Sequence, residues 1–421
     1  MATLLMMTKA VVVVGAGIVG VSTAIWLRRA GHDVTLIDKG APGMGASYGN
    51  SGLLAQWAVD PVTSPQLWRD APRYLMDRNS PLFVKWGHVP RMLPWLARFM
   101  RNATDKRTRR IVGSLSPLLR DAVDQHRSLI QGTPVENWVR DSKISFVYRD
   151  HASFTADAYS WQMKALAGMT PTVITGRAAV QQIEPILGAD HQCIAVLEGQ
   201  GHVTDPGQYV ASLAQYFEAL GGRVVRAEVR DLQKGSDGQI TCVETDQDRF
   251  DCDTAVITAG IWSKELTRKL GLRIPMEAER GYHVIFENPS QTPRNPMLMV
   301  DGKFGVNAMD MGLRCSGVVE LGDHHAGPSA APIALLKRHS ATAFPRMTFS
   351  GTQEWMGFRP STPDSMPLIG PLGSGGVFVG FGHQHVGLTA GPKTGRVLAQ
   401  MIGGQHPNMD LSAFDPARFN R

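Results

Sequence analysis

The chain has 421 residues, 43% hydrophobic and 19% charged, with a formal net charge of +6. That length accommodates two packed domains, the composition is that of a folded globular chain without low-complexity tracts, and the mild positive balance comes with no basic-aromatic RNA-binding motif, which argues against nucleic acid as a partner. Cys193, Cys242, Cys252 and Cys315 show neither CxxC nor metal-ligand spacing, which argues against a zinc site and a disulfide framework and fits a reducing cytoplasm.

The uncharged run Ala10 to Leu27 has the length of a membrane span, but its interior reads otherwise. Val11 to Val14 is a β-branched run suited to a buried parallel strand, and Gly15, Gly17 and Gly20 punctuate a turn into a helix. The stretch VVVVGAGIVGVSTAIWLRRAGHDVTLIDKG predicts strand, GxGxxG turn, helix and a second strand ending at Asp38 and Lys39. Gly15 permits the tight turn, Gly17 lets the backbone approach a pyrophosphate, and Gly20 allows helix and strand to pack closely. The amides of Ala16, Ile18 and Val19 complete the anion-binding loop, and Asp38 is spaced to accept hydrogen bonds from ribose hydroxyls. The motif alone does not separate NAD from FAD.

Beyond Lys39 the small and polar residues of KGAPGMGASYGNSGLLAQW, with Ser47, Asn50, Gly52 and Leu53 as candidate contacts, suit an extended cofactor rather than the next βα unit of an NAD domain. Residues 57–141 have a mainly helical pattern, interrupted by six prolines between Pro61 and Pro94. The remaining nucleotide-domain strands come late, at GGRVVRAEVRDL with Val229 and at FDCDTAVITAGIWS with Ala259, Gly260 and Trp262, so the domain is discontinuous. Between them and the C-terminus, alternating apolar runs over residues 276–322 predict an antiparallel sheet. Near the C-terminus Gly387, Gly391 and Gly395 recur every four residues, predicting a smooth helix face on which a flat ring or a strand lies close. The start of that helix favours negative charge.

The runs EWMGFRPSTPDSMPLIG and VFVGFGHQHVGLTAGPKTGRVLAQMI, taken with the N-terminal loop, the Ser47 to Gly52 segment and Thr258 to Ser263, resemble the D-amino acid oxidase superfamily. The resemblance is closest to its D-amino acid dehydrogenase and glycine oxidase branch and covers nearly the whole chain. It implies FAD as cofactor, with the flavin ring beside Gly382, His383, Val386, Gly387, Leu388 and Thr389. It implies that Arg359 binds the substrate carboxylate, a role suited to a planar guanidinium; an internal ion pair with Asp364 is the competing reading. Glycine oxidase has a second arginine where this chain has His385, and its sheet tyrosine aligns with Phe304, so Tyr282 is a further candidate for a hydroxyl contact.

The expected fold is α/β, with a discontinuous Rossmann-type FAD domain over residues 9–56, 200–275 and 345–421. Residues 57–199 and 276–344 then form a substrate domain with an antiparallel sheet and a helical insert. The expected reaction is oxidative deamination of a small amino acid, D-configured by resemblance, with hydride transfer to the flavin and electrons passing to a quinone or other acceptor. An oxidase, an enzyme for secondary amines, and a non-catalytic flavoprotein subunit are the alternatives. The basic aromatic stretch VKWGHVPRMLPWLARFMRN reads either as an amphipathic helix packed on the body or as a peripheral contact with an anionic membrane surface of an otherwise cytoplasmic protein.

Overall fold

A computed structural model describes residues 8–69, 71, 77 and 80–420. Strand Ala10–Val14 lies between strands Asp33–Asp38 and Thr254–Ile257, parallel to both. Arg223–Arg226 and Val377–Phe381 extend this sheet in parallel, and Leu368–Pro371 closes it antiparallel to Val377–Phe381. Val11 to Val14 are each at most 3% exposed. Burial on both faces is why this strand is a continuous β-branched run rather than an alternating one.

Helix Gly387–Ile402 packs along helix Ile18–Arg29. A Cβ at Gly391 would stand 2.8 Å from the Ile18 side chain, and one at Gly395 would stand 2.6 Å from the Thr23 amide nitrogen. These two glycines therefore serve close helix-on-helix packing, and not a ring or strand as the sequence suggested. Only Gly387, at the helix start, is left beside the loop predicted to hold the flavin.

The second body is a ten-stranded sheet in which Gly351–Ser361, Glu277–Glu287, Gly312–Leu321, Phe304–Met309, Met297–Met299, Val139–Tyr148, Cys193–Val203 and Leu53–Leu54 follow one another. The predicted 276–322 sheet is present, except that Met297–Met299 also pairs in parallel with Val139–Tyr148. Strand Gly351–Ser361, which the expected boundaries put with the nucleotide domain, pairs here along Glu277–Glu287, and Cys193–Val203, which straddles the expected boundary at residue 200, pairs along Val139–Tyr148.

The two faces of the sheet differ in the way a pleat requires. Tyr282, Val284, Phe286, Phe304, Val306, Leu313 and Cys315 point into a core shared with helix Ala330–Ala343. Their neighbours Gly281, His283, Gly305, Asn307 and Arg314 point toward the nucleotide domain. In the helical region, Asp105–Leu119 and Ala122–Ile130 share a core with helix Ile18–Arg29. Helix Val89–Asn102 buries Met92, Trp95 and Phe99. Among the described residues, no helix is long and apolar enough to cross a membrane.

Candidate active site

Gly15 has φ +105° and donates its N–H to the Ile37 carbonyl at 2.8 Å, and a Cβ there would stand 2.8 Å from the Ala259 backbone. The left-handed geometry and the close strand behind it both require glycine. Asp38 organises the turn by accepting from the Ala16 amide at 2.7 Å and the Gly40 amide at 2.8 Å. Helix Ile18–Arg29 has no acidic residue in its first turn, and its cap, Gly17, brings no side-chain acceptor. Only the Ser47 hydroxyl reaches in, accepting from the Ile18 amide at 3.1 Å. A Cβ at Gly17 would meet nothing nearer than that hydroxyl, at 3.5 Å. The open face and the helix N-terminus fit a pyrophosphate. Alongside, the Lys39 ammonium stands 4.2 Å from the centre of the Trp262 ring, Gly260 has φ +57°, and Val229 opens the strand Val229–Lys234.

Residues 47–55 are fastened from three sides. Fully buried Arg314 donates to the Tyr48 and Asn50 carbonyls, both at 2.7 Å, and Asn307 donates to the Ser51 carbonyl at 3.1 Å. Asn50 accepts from the Gly52 amide at 2.8 Å, and Thr389 Oγ1 accepts from the Ala55 amide at 3.0 Å, which ties the segment to the first turn of helix Gly387–Ile402. His283 stacks on Trp355 with ring centres 5.2 Å apart, and a Cβ at Gly49 would fall inside that indole. Sequence reasoning missed Arg314, Asn307 and His283. Their signal is a polar residue recurring at alternate positions of otherwise apolar strands.

Arg359 does not pair with Asp364, which is held instead by Arg418 at 2.8 and 3.1 Å. Its guanidinium lies over Gly281 and donates one bond, to the Val318 carbonyl at 3.3 Å. Burial lowers its pKa, and the charge of Glu279 opposes that. Glu279 is itself raised by burial, against the hydrogen bond from Ser361 at 2.7 Å and the charge of Arg359. Gln384, at φ +49°, reaches the same Ser361 hydroxyl at 2.7 Å and the Thr362 carbonyl at 3.1 Å. This network orders the strand end that carries Arg359.

His385 keeps an exposed surface although protein lies densely around it. Burial lowers its pKa to about 4; the charge of Arg359 lowers it further and that of Asp60 raises it. His385 thus feels the charges of both Arg359 and Asp60. Asp60 accepts from Lys164 at 3.0 Å and from Ser160 at 2.8 Å. The Lys164 ammonium lies 5.5 to 5.9 Å from the ring centres of Trp57, Phe146 and Trp161. Asp60 is the second group that sequence reading passed over.

Other candidates lie elsewhere. Tyr282 donates to Glu320 at 2.6 Å, and Phe304 sits against His339, both beneath helix Ala330–Ala343. The alternation of the pleat sends them to the face opposite Gly281 and Arg359, so neither joins the predicted catalytic set. His383 is buried, its pKa lowered to about 3, and it shares a hydrogen bond with Thr394 at 3.0 Å, which makes it a support for the loop rather than a substrate contact. Val386 and Leu388 are core residues, and buried His126 bridges the Leu388 carbonyl at 2.9 Å and the Tyr209 hydroxyl at 2.8 Å.

Residues 10–401 match the model of the DAO family, described as FAD dependent oxidoreductase. The chain is 37% identical over 417 residues to a D-amino-acid oxidase of Bradyrhizobium diazoefficiens, covering 97% of this chain and 98% of that one. It is 27% identical over 409 residues to a D-amino acid dehydrogenase of Rhizobium johnstonii, covering 95% and 97%. Among solved structures its fold is similar to glycine oxidase from Geobacillus kaustophilus, with a TM-score of 0.76 at 19% identity and coverage of 98% and 99%.

Proposed function

This chain belongs to the DAO family of FAD dependent oxidoreductases, and on that premise we propose that it oxidises a small D-amino acid to the imino acid, which water hydrolyses to a keto acid and ammonia. Bound FAD supplies the two-electron acceptor for the substrate α-carbon. The N-terminal loop and the Ser47 to Ala55 segment hold the cofactor. Dioxygen is the terminal acceptor in this reading, in place of the quinone expected from the sequence, and the 37% identity to a relative named an oxidase supports it.

The observation that carries the reading is Arg359, a guanidinium enclosed by protein with one carbonyl partner at 3.3 Å and no ion pair to Asp364. Its remaining donors suit a carboxylate, which they fix against rotation. His385 is neutral above its pKa of about 4. It offers a hydrogen bond where glycine oxidase has a second cation, so Arg359 supplies the positive charge for the anchor.

A panel of D-amino acids, L-amino acids and N-substituted amines, mixed anaerobically with the holoenzyme, tests this through loss of the oxidised-flavin absorbance. Small D-amino acids bleach it in the proposed function, and hydrogen peroxide forms when air is admitted. Bleaching by L-amino acids or secondary amines alone would overturn the substrate assignment. Arg359→Leu raises KM about a hundredfold, corresponding to roughly 3 kcal/mol for a charged hydrogen-bonded pair, while FAD stays bound.

A further inference from the structure

Helix Val89–Asn102, helix Ser263–Lys269, the chain that follows it and residues Phe419 and Asn420 enclose a groove of about 540 Å³ whose lining does not include Arg359 or His385. Arg91, Arg98, Lys264, Arg268 and Arg273 line it against one carboxylate, Glu277. Five cations less one anion leave +4, which is most of the net +6 of the whole chain, gathered on one concavity.

Lys264 and Glu277 are already engaged. The ammonium donates to the Met276 carbonyl at 2.7 Å and stands 3.7 Å from Glu277, which also meets His88 at 3.2 Å. The four arginines are exposed, and their guanidiniums make no hydrogen bond or ion pair among the described residues. Arg91 and Arg98 are two turns apart on one helix, which places both on the same side. Pro94, Leu272, Ile274 and Phe419 supply an apolar floor.

We propose that this groove binds an organic polyanion carrying phosphate, with at least two negative charges beside an apolar body. Guanidinium forks match phosphate oxygens in pairs, and the volume lies in the ordinary range for small-molecule sites. Unpaired like charges around one concavity focus a field that only an anion relieves. A soluble phosphate ester and a phospholipid headgroup share this chemistry. The inference stands on its own groove and does not depend on which amino acid is oxidised.

The test uses the FAD-loaded enzyme, so that the nucleotide loop is filled. Pyrophosphate is titrated calorimetrically, and sedimentation with phosphatidylglycerol vesicles is compared with phosphatidylcholine vesicles. The same measurements are made on Arg98→Gln/Arg268→Gln, a surface variant expected to keep its flavin content, melting temperature and turnover. Saturable pyrophosphate binding at one site, weakened at least tenfold in the variant, supports the proposal with a soluble ester as ligand. Sedimentation with phosphatidylglycerol alone, lost in the variant, supports it with a lipid headgroup as the source. Binding of neither probe, or binding equal in parent and variant, overturns it.

Discussion

The guanidinium of Arg359 lies so close over Gly281, on the adjoining strand, that a Cβ at position 281 would stand 2.6 Å from Arg359 Cζ. The obstructing atoms belong to the end of a flexible side chain, so Gly281→Ala moves the guanidinium and leaves the sheet intact. We expect a KM for carboxylated substrate raised tenfold or more, equal to about 1.4 kcal/mol or more, with bound FAD and melting temperature close to the parent. Steady-state kinetics beside flavin absorbance check this, and an unchanged KM removes Gly281 from the anchor.

The Ser47 to Ala55 segment depends on Arg314 in a different way. This arginine is wholly buried, and burial lowers its pKa to about 10, which still leaves it charged at neutral pH. Its two carbonyl acceptors, Tyr48 and Asn50, lie in the segment proposed to hold the cofactor. Arg314→Met keeps much of the volume and removes both bonds, at roughly 3 kcal/mol. The expected result is FAD affinity about a hundredfold weaker, measured by fluorescence titration of the apoprotein, and partial loss of flavin on purification.

These two arginines mark how far the sequence could be read. The nucleotide loop was legible because a β-branched run, three spaced glycines and an acid form a local pattern within about thirty residues. Arg359 was singled out only through a motif resembling a known family; local pattern alone favoured an ion pair with Asp364, which the structure gives to Arg418 instead. Arg314, Asp60 and Gly281 act through contacts with segments tens to hundreds of positions away, which no local periodicity encodes. Tyr282 and Phe304 failed for the same reason. Residue type suggested a substrate wall, and the phase of the pleat, set by pairing with distant strands, turned them to the core.

Stability should fall with acid, and buried histidines set the window. His126 is held to a pKa of about 4 by burial, against the opposing hydrogen bond to the Leu388 carbonyl. Burial likewise lowers His383 to about 3. The unfolded chain takes these protons near pH 6.5, so between pH 6.5 and about 4 it binds more protons than the fold does, and stability declines as pH falls. Above pH 6.5 this contribution is flat. His126 alone accounts for roughly 3 kcal/mol across that window. His126→Gln, which retains an amide for Tyr209 and Leu388, should flatten the slope of denaturation free energy between pH 6.5 and 5 by about one proton, or about 1.4 kcal/mol per pH unit.

The pair Asp60 and Lys164 gives a prediction that a single substitution would misread. Burial raises the pKa of Asp60, and the Lys164 charge with the Ser160 and Lys164 hydrogen bonds more than reverses this, leaving it below the usual carboxylate value. Lys164 has a side chain only 4% exposed, against 25% for Asp60. Asp60→Asn therefore strands an ammonium among three aromatic rings, and Lys164→Met strands a carboxylate facing His385; each should cost roughly 3 kcal/mol. The double variant restores neutrality and should cost well under the sum, a coupling read from denaturation midpoints of all four proteins. Because Asp60 also raises the pKa of His385, Asp60→Asn should move any His385-dependent acid limb of kcat/KM to lower pH. Additive stabilities together with an unmoved pH profile would mean that the ion pair is separate from the reaction space.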